Sequence, residues 1–184
     1  MNLFTKTRNS VMHYNEIYFW TATISKWRYL LKDDSFKKVI IDSLMYLSLQ
    51  KKIKVYGFVI MPNHIHLIWE MLEANGKENP YESFLKYTAH YFQKILKNKK
   101  TEDYAQYNVD ETTRKQRYWK RDSLAIQIMN REMAQQKIEY IHNNPLQEHW
   151  NLVAEPELYY YSSAYDYVNN FSRFTFLYHY FDRV

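Results

Sequence analysis

The strongest constraint on the fold of this chain is a pair of short apolar segments joined by a turn that contains proline. The first segment covers residues 53 to 60, the second covers residues 65 to 71, and Met61-Pro62-Asn63 lies between them. A connection this short pairs the segments as antiparallel strands, and continuous apolar runs are typical of central strands. The sequence therefore predicts a hairpin near the middle of a sheet.

Two histidines open the second strand of this hairpin. His64 and His66 are two residues apart, so in an extended segment both rings project from one face while Ile65 projects from the other. Because the chain has no cysteine, a metal bound here needs imidazole, amide or carboxylate ligands. A structural histidine pair is the competing interpretation, but two ionisable rings on one face of a buried strand are costly without partners. We therefore interpret the pair as part of a divalent metal site.

The rest of the hydrophobic pattern predicts three helices and two further strands. The helices are predicted over residues 34–50, 81–98 and 131–143, and the strands over 16–24 and 123–128. The resulting order, β-α-β-β-α-β followed by a helix, is the split pattern of ferredoxin-like folds. We expect an α+β fold with an antiparallel sheet whose helices cover one face, and a C-terminal helix that bears a tyrosine.

A chain of 184 residues is long enough for one domain with its own core. Residues 1–15 are predicted to be a loose lead-in, residues 16–150 the domain, and residues 151–184 an aromatic extension that packs back on it. The segment from Lys97 to Arg117 mixes charges of both signs without periodicity, which predicts an exposed loop.

Composition points to a basic protein with many aromatic side chains. The formal net charge is +5, and aromatic residues make up 18% of the chain. A basic chain suits a polyanionic partner, and aromatic rings can either fill a core or stack on unpaired bases. Neither a membrane span nor a signal peptide is predicted, so we expect a cytoplasmic protein that associates with the nucleoid.

The third predicted helix carries polar side chains that can complete the histidine site. Tyr140 and Asn144 are four residues apart and lie on the same side of a helix, next to the apolar positions Ala134, Ile138 and Ile141. If that side faces the sheet, Asn144 supplies a carbonyl oxygen as third ligand, Tyr140 lies beside the metal, and Gln136 supports the site from one turn earlier.

Each of these helix residues also has a plainer interpretation. Tyr140 can be a core residue in a chain with 19 tyrosines. Asn143-Asn144-Pro145 is also a helix stop, in which asparagine adopts a left-handed conformation. His142 is predicted to be a surface or capping residue.

A metal, an amide ligand and a tyrosine together are suited to transesterification of a phosphodiester. The metal can polarise the scissile phosphate while the tyrosine oxygen attacks in line and becomes covalently attached. Free tyrosine is protonated at neutral pH, so a cation or a base has to assist. The sequence does not identify that base.

Three segments of the chain, taken in order, resemble the motifs of single-tyrosine HUH transposases of insertion sequences, in which two histidines flank a hydrophobic residue. The segments are Val59-Ile60-Met61-Pro62-Asn63-His64-Ile65-His66-Leu67-Ile68, Glu139-Tyr140-Ile141-His142-Asn143-Asn144-Pro145-Leu146 and Ala154-Glu155-Pro156-Glu157-Leu158-Tyr159-Tyr160-Tyr161-Ser162-Ser163-Ala164. The three together are far more specific than any one of them. Within this family, the chain most resembles the REP-associated tyrosine transposases, over residues 16 to 168.

This resemblance implies a ferredoxin-like transposase that cleaves and rejoins single-stranded, hairpin-forming DNA through a 5′-phosphotyrosine intermediate. It implies His64, His66 and Asn144 as ligands of Mg²⁺ or Mn²⁺, and Tyr140 as the nucleophile. Members of the family act either as monomers or as dimers that exchange the tyrosine helix. Here Leu146-Gln147-Glu148-His149-Trp150 replaces a glycine-containing continuation, which argues against helix exchange rather than against catalysis.

Several basic residues are candidates for contact with the DNA backbone. One side of the second predicted helix carries Lys86, His90, Lys94 and Lys97, and Lys120 and Arg121 follow the charged loop. Basic residues along one side of a helix usually form only a solvent-exposed face. The alternative is that they bind the phosphates of the DNA backbone.

Two other functions remain open from the sequence. The chain can be a domesticated protein that binds hairpin DNA through a vestigial or regulatory site. It can also be a metal hydrolase that activates water, although this requires a carboxylate near the metal and the spacing fixes none.

Overall fold

The structure is a computed structural model, and it describes residues 11–99, 107, 117–169 and 171–183. Its centre is a four-stranded antiparallel sheet of β1 (Ile17–Thr23), β2 (Ile53–Ile60), β3 (His64–Met71) and β4 (Leu124–Gln127), in the order β2-β3-β1-β4. This is the ferredoxin-like arrangement, so the predicted fold class is confirmed. Most of the predicted charged loop, and residues 1–10 of the lead-in, lie outside the described residues.

The predicted hairpin lies inside the sheet, where β3 is buried along its whole length. The turn is closed by a 2.8 Å hydrogen bond from the Met61 amide to the His64 carbonyl. One bulge interrupts the pairing of β2 with β3, between Val55 and Gly57. An extra residue in one strand bends that strand and increases its twist, so the two halves of β2 run in different directions.

Two helices cover one face of the sheet. They are α1 (Asp34–Leu49) and α2 (Pro80–Lys99), and they pack on a core that includes Trp20, Leu67 and Trp69. The predicted inward residues of α2 are half correct. Phe84 and Thr88 are buried, but the stripe continues through Phe92 and Leu96, whereas Tyr91 is exposed and Ile95 is partly buried. The buried residues of α2 recur every four positions, slightly more than one helical turn. Tyr91 therefore lies outside the buried side and contacts Tyr87, with ring centroids 4.5 Å apart.

The third helix, α3 (Arg131–Asn143), lies on the opposite face of the sheet. Ala134, Ile138 and Ile141 are buried against a second, smaller core that includes Phe19 and Ile68. Alternate residues of β1 and β3 thus face α1 and α2 on one side and α3 on the other. The predicted apolar side of α3 is confirmed.

The segment after α3 covers the free edge of β2. The amide of Ile60 donates to the Tyr161 carbonyl at 2.9 Å, and the amide of Ser163 donates to the Phe58 carbonyl at 3.0 Å. A short helix, α4 (Ala164–Asn169), follows this pairing. An unpaired edge strand invites wrong pairing, so this cover protects the sheet. The proposed boundary at residue 150 remains a prediction. Within the described residues, no helix is long and apolar enough to cross a membrane.

Candidate active site

The two histidines are buried side by side at the start of β3. Their ring centroids are 4.6 Å apart, and His64 and His66 expose only 8% and 6% of their surface. The turn before β3 brings them to the face of the sheet that α3 covers, as the alternation of the strand requires. The prediction that both rings share one face is confirmed.

One nitrogen of each ring is held by a neighbouring side chain. Nδ1 of His64 donates to Oδ1 of Asn63 at 2.6 Å, and Nδ1 of His66 is hydrogen-bonded to Oγ1 of Thr21 at 2.7 Å. The amide nitrogen of Asn63 donates to the Trp27 carbonyl at 3.3 Å, which fixes the direction of the amide. These bonds leave Nε2 of each ring as the atom that could bind a metal, in the way that outer hydrogen bonds orient ligand histidines.

Both imidazoles are neutral at physiological pH. Burial, reinforced by the charge of His149, lowers the pKa of His64 to about 4. Burial also holds the pKa of His66 well below its usual value, with smaller contributions from His64 and Lys137. Metal ligation requires the neutral ring, so no proton has to be removed before a cation binds.

Tyr140 projects from α3 against these rings. Its ring makes edge contacts with His66 at 5.4 Å and with Phe19 at 5.8 Å between centroids. Its side chain is 44% exposed, although the neighbouring apolar positions of α3 are buried. Tyr140 is therefore not a core residue, and a phosphate can reach it from solvent.

Asn144 lies just beyond α3, in the 3-10 helix Asn144–Leu146, and is 2% exposed. Its backbone φ is −57°, so it does not have the left-handed conformation of an asparagine helix stop. Its side-chain oxygen is buried and has no hydrogen-bond partner among the described residues. An unsatisfied buried carbonyl costs about 1–3 kcal/mol unless something binds it. Within the described residues, no group of three or more His, Asp or Glu side chains is placed to hold a metal ion. The donors that could hold a divalent cation here are the two imidazoles and this amide oxygen.

Close packing and one buried hydrogen bond hold α3 against the sheet. A Cβ at Gly57 would lie 2.5 Å from Cδ1 of Ile138 and 3.1 Å from Cδ1 of Ile141, so any larger residue would displace the Ile138 side chain. Nε2 of His142 is hydrogen-bonded to Oγ of Ser163 at 2.8 Å, and Ser163 also accepts from the Phe58 amide at 3.0 Å. The prediction that His142 lies on the surface is therefore wrong. It is buried because the segment after α3 folds over the last turn of the helix.

The proposed ligands and the proposed nucleophile line one cavity of about 430 Å³. His64, His66, Tyr140 and Asn144 all contribute to its wall, within a single chain. Gln136 is exposed on α3 and is not part of that wall, so the structure does not bring it to the site, and its supporting role remains only a prediction.

The sequence did not predict several other residues of this wall. They include Thr21, Trp27, Tyr29, Asn63, His149 and Trp150. Thr21 pairs with His66 across β1 and β3, and that register was the only signal that could have found it. Trp27 and Tyr29 come from a connection without periodicity, so nothing local indicated their position.

The predicted DNA-contacting residues separate into two groups. Lys86, Lys120 and Arg121, together with His90, line a second cavity of about 870 Å³ between α2 and residues 117–121. Lys94 and Lys97 are exposed on α2 but outside this cavity. The wall also carries Glu78, which pairs with Lys86 at 2.5 Å.

Comparison with known proteins identifies the fold. No family model and no curated protein matches the sequence. Among solved structures, a REP-associated tyrosine transposase bound to a REP hairpin is similar to this chain with a TM-score of 0.58, over 88% of this chain and 86% of that chain, at 15% identity. The chain shares the fold of that transposase. The predicted resemblance is thus confirmed at the level of the fold.

A second solved structure is less similar. It is a protein of Deinococcus radiodurans R1 provisionally described as a transposase, and it matches with a TM-score of 0.42 at 16% identity, over 73% of this chain and 93% of that chain. A likeness of this size does not establish a common fold.

Proposed function

We propose that this chain is a metal-dependent, single-tyrosine DNA endonuclease and strand transferase that cleaves and rejoins single-stranded, hairpin-forming DNA. One observation carries the proposal. The exposed ring of Tyr140 lies 5.4 Å from the ring of His66, and both line one cavity with His64 and with Asn144, whose buried side-chain oxygen has no hydrogen-bond partner among the described residues. A tyrosine, two neutral imidazoles and an amide oxygen are the groups that phosphodiester transesterification needs.

His64, His66 and Asn144 would hold Mg²⁺ or Mn²⁺. When bound, the cation offsets the negative charge that grows on the scissile phosphate. Asn63 and Thr21 hold Nδ1 of the two rings by hydrogen bonds, which leaves Nε2 of each ring for the cation.

Tyr140 provides the nucleophile. Its phenolic oxygen forms a bond to phosphorus as the bond from phosphorus to the 3′ oxygen breaks, which leaves a 5′-phosphotyrosine and a 3′-hydroxyl. The 3′ oxygen gains a proton and the phenol loses one. His149, which lines the same cavity, is an imidazole that can accept the phenolic proton.

A positive charge accompanies the nucleophile on the same helix. Lys137 precedes Tyr140 by three residues, so the two side chains project from neighbouring positions of α3. Its ammonium lies 5.2 Å from the centre of the Phe19 ring, which Tyr140 also contacts, and it contributes to the lowered pKa of His66. We infer that Lys137 stabilises the phenolate and the incoming phosphate.

The DNA substrate is inferred from charge and from the fold. The chain carries a net charge of +5, and the solved transposase of the same fold is described as bound to a REP hairpin. The second cavity, with Lys86, Lys120 and Arg121, is a surface that can hold phosphates. Because the proposed ligands and Tyr140 line one cavity within a single chain, we infer that a monomer is sufficient for cleavage.

The test is incubation with labelled hairpin DNA that has single-stranded flanks, in Mg²⁺ or Mn²⁺. The wild type should cleave the DNA and form a covalent adduct that survives denaturation. Tyr140→Phe should do neither, whereas Tyr46→Phe, which alters another exposed tyrosine, on α1, should behave as wild type.

Two results would overturn the proposal. One is an adduct that still forms with Tyr140→Phe. The other is tight hairpin binding by the wild type without cleavage in either metal, which would leave a DNA-binding protein with a vestigial site.

A further inference from the structure

Two exposed aromatic side chains form one side of the candidate active site. Trp27 and Tyr29 expose 58% and 61% of their surface and line the cavity that contains Tyr140. Tyr29 makes an edge contact with Trp150 at 5.7 Å, and Trp150 lies 5.9 Å from the His64 ring. Exposed rings at a cavity wall present flat apolar surface to a ligand that enters the cavity.

The backbone that presents Trp27 is strained. Lys26 and Trp27 both have a φ of 58°, in the left-handed region that bulky residues rarely adopt. Such conformations cost on the order of 1–3 kcal/mol each, persist only when their surroundings enforce them, and cluster at ligand-binding sites. Three hydrogen bonds hold the backbone of Trp27 in this conformation. The Trp27 amide donates to the Ile24 carbonyl at 3.0 Å, the Ser25 amide donates to the Tyr118 carbonyl at 2.7 Å, and Nδ2 of Asn63 donates to the Trp27 carbonyl at 3.3 Å.

The indole ring is also fixed on one face by a cation. The ammonium of Lys120 lies 3.7 Å from the centre of the Trp27 ring. A cation over an aromatic face is attracted by the ring quadrupole, so it holds the indole in place and brings positive charge beside it. The ring remains more than half exposed with Lys120 in position, so it has surface left for a flat ligand.

We propose that Trp27 is a stacking platform for an unpaired nucleobase of the DNA strand, next to the phosphate that Tyr140 attacks. This inference deepens the proposed function and rests on it. A flat ring with an adjacent cation matches a nucleotide, whose base stacks while its phosphate meets the charge. Paired bases are already stacked in a duplex, so the occupant is a base in the single-stranded flank of the hairpin.

The platform is joined to the metal site through one side chain. Asn63 donates to the carbonyl of Trp27 and accepts from Nδ1 of His64. Both bonds need the same amide orientation, so the position of Trp27 and the direction of the His64 ring are set together. A base stacked on Trp27 therefore has a fixed position relative to the metal site, where the neighbouring phosphate would react.

The test measures DNA binding in a protein that cannot cleave. All variants are made in the Tyr140→Phe background and assayed in EDTA by fluorescence anisotropy, with a hairpin that has a 5′ single-stranded tail and the same hairpin without it. Trp27→Ala should weaken binding of the tailed hairpin about ten- to hundredfold, as expected for one lost stacked base. Binding of the blunt hairpin should not change.

Two further measurements identify the contact. Trp27→Phe keeps a flat ring and should restore most of the affinity, and Tyr46→Ala removes an exposed aromatic residue on α1 and should change nothing. With Trp27 present, an abasic nucleotide at one position of the tail should weaken binding as much as Trp27→Ala does. With Trp27→Ala, the same abasic site should have no further effect.

The outcomes separate the two proposals. Equal loss on tailed and blunt hairpins, no loss with Trp27→Ala, or additive effects of the abasic site and Trp27→Ala would each overturn the stacking platform and leave the proposed function standing. If the Tyr140→Phe parent binds neither DNA, either in EDTA or in Mn²⁺, the proposed function fails, and the platform fails with it. Thermal melting of each variant shows that the comparison is between folded proteins.

Discussion

Nδ1 of His64 donates a 2.6 Å hydrogen bond to the side chain of Asn63, the residue immediately before it. This bond fixes both the tautomer and the direction of the His64 ring. Ligand histidines that lose such a partner typically lose about 10–100-fold in metal affinity.

Asn63→Ala should therefore weaken Mn²⁺ binding by about 10–100-fold while His64 and His66 remain in place. Isothermal titration calorimetry on the apo protein measures this directly. Asn98→Ala, on the exposed side of α2, is the matched control. Equal affinities for Asn63→Ala and wild type would show that Asn63 does not orient the ligand.

Asn144→Ala should abolish the stabilisation of the protein by a divalent cation. A cation that binds only the folded state stabilises it by about 2.7 kcal/mol at 100 times its Kd, which raises Tm. Without the oxygen of Asn144 that shift should largely disappear. In EDTA the variant should keep most of its stability, because the amide oxygen it lacks has no hydrogen-bond partner among the described residues. Thermal scans with and without Mn²⁺ test both statements, and an unchanged Mn²⁺ shift in Asn144→Ala would rule out this ligand.

Gly57→Ala should destabilise the protein by about 1–3 kcal/mol, the usual cost of overpacking a core. The added Cβ would lie 2.5 Å from Cδ1 of Ile138, so the Ile138 side chain would have to move within the packed contact between α3 and β2. Ile138→Val removes the methyl group that collides with the new Cβ. The double variant Gly57→Ala/Ile138→Val should therefore have a higher unfolding free energy than Gly57→Ala alone, as measured by urea denaturation. Additive losses would contradict this account.

Protonation of His142 should reduce stability in mild acid. Burial lowers its pKa to about 4, below the ordinary value of 6.5. Between these two pH values the unfolded chain takes up a proton that the folded chain excludes, so stability falls as pH decreases through this window. At pH 4 the loss reaches about 3 kcal/mol for this one group.

His142→Gln offers a control for this effect. It keeps a donor for Ser163 but does not titrate, so its unfolding free energy should depend less steeply on pH between 6.5 and 4. Urea denaturation at several pH values measures the two slopes. Parallel slopes would mean that His142 is not a source of the acid sensitivity.

Much of the fold follows from local patterns in the sequence. The predicted ranges of the central hairpin and of α1 and α3 agree with the structure to within a residue or two, because clear periodicity and capping signals mark them. The order of elements was sufficient to predict the ferredoxin-like sheet. The four residues proposed for metal binding and nucleophilic attack meet at one cavity, because strand alternation and helix spacing fix which side each faces.

What the sequence could not predict depends on contacts between distant segments. His142 is buried by Ser163, and nothing near His142 in the sequence indicates that contact. Trp27 is placed by a left-handed turn without glycine, which runs against local preference. Asn63 looked like an ordinary turn residue, and its bond to Trp27 depends on tertiary packing. Tyr91 was predicted to be buried in place of Phe92, because the two aromatic residues are adjacent and either one fits the helical hydrophobic pattern to within one position.

The pairing of Ser163 with β2 has a consequence for the cell that makes this protein. The histidines lie on β3, and the bonds of Ser163 to Phe58 and His142 add to the packing that holds α3 over them. During synthesis, the strands and α2, which carries Lys86, Lys94 and Lys97, leave the ribosome well before Ser163. A nascent or prematurely terminated chain can therefore expose its basic surface while α3, which carries Tyr140, lacks this anchor. Under the proposed function, cleavage would require a chain that extends past Ser163.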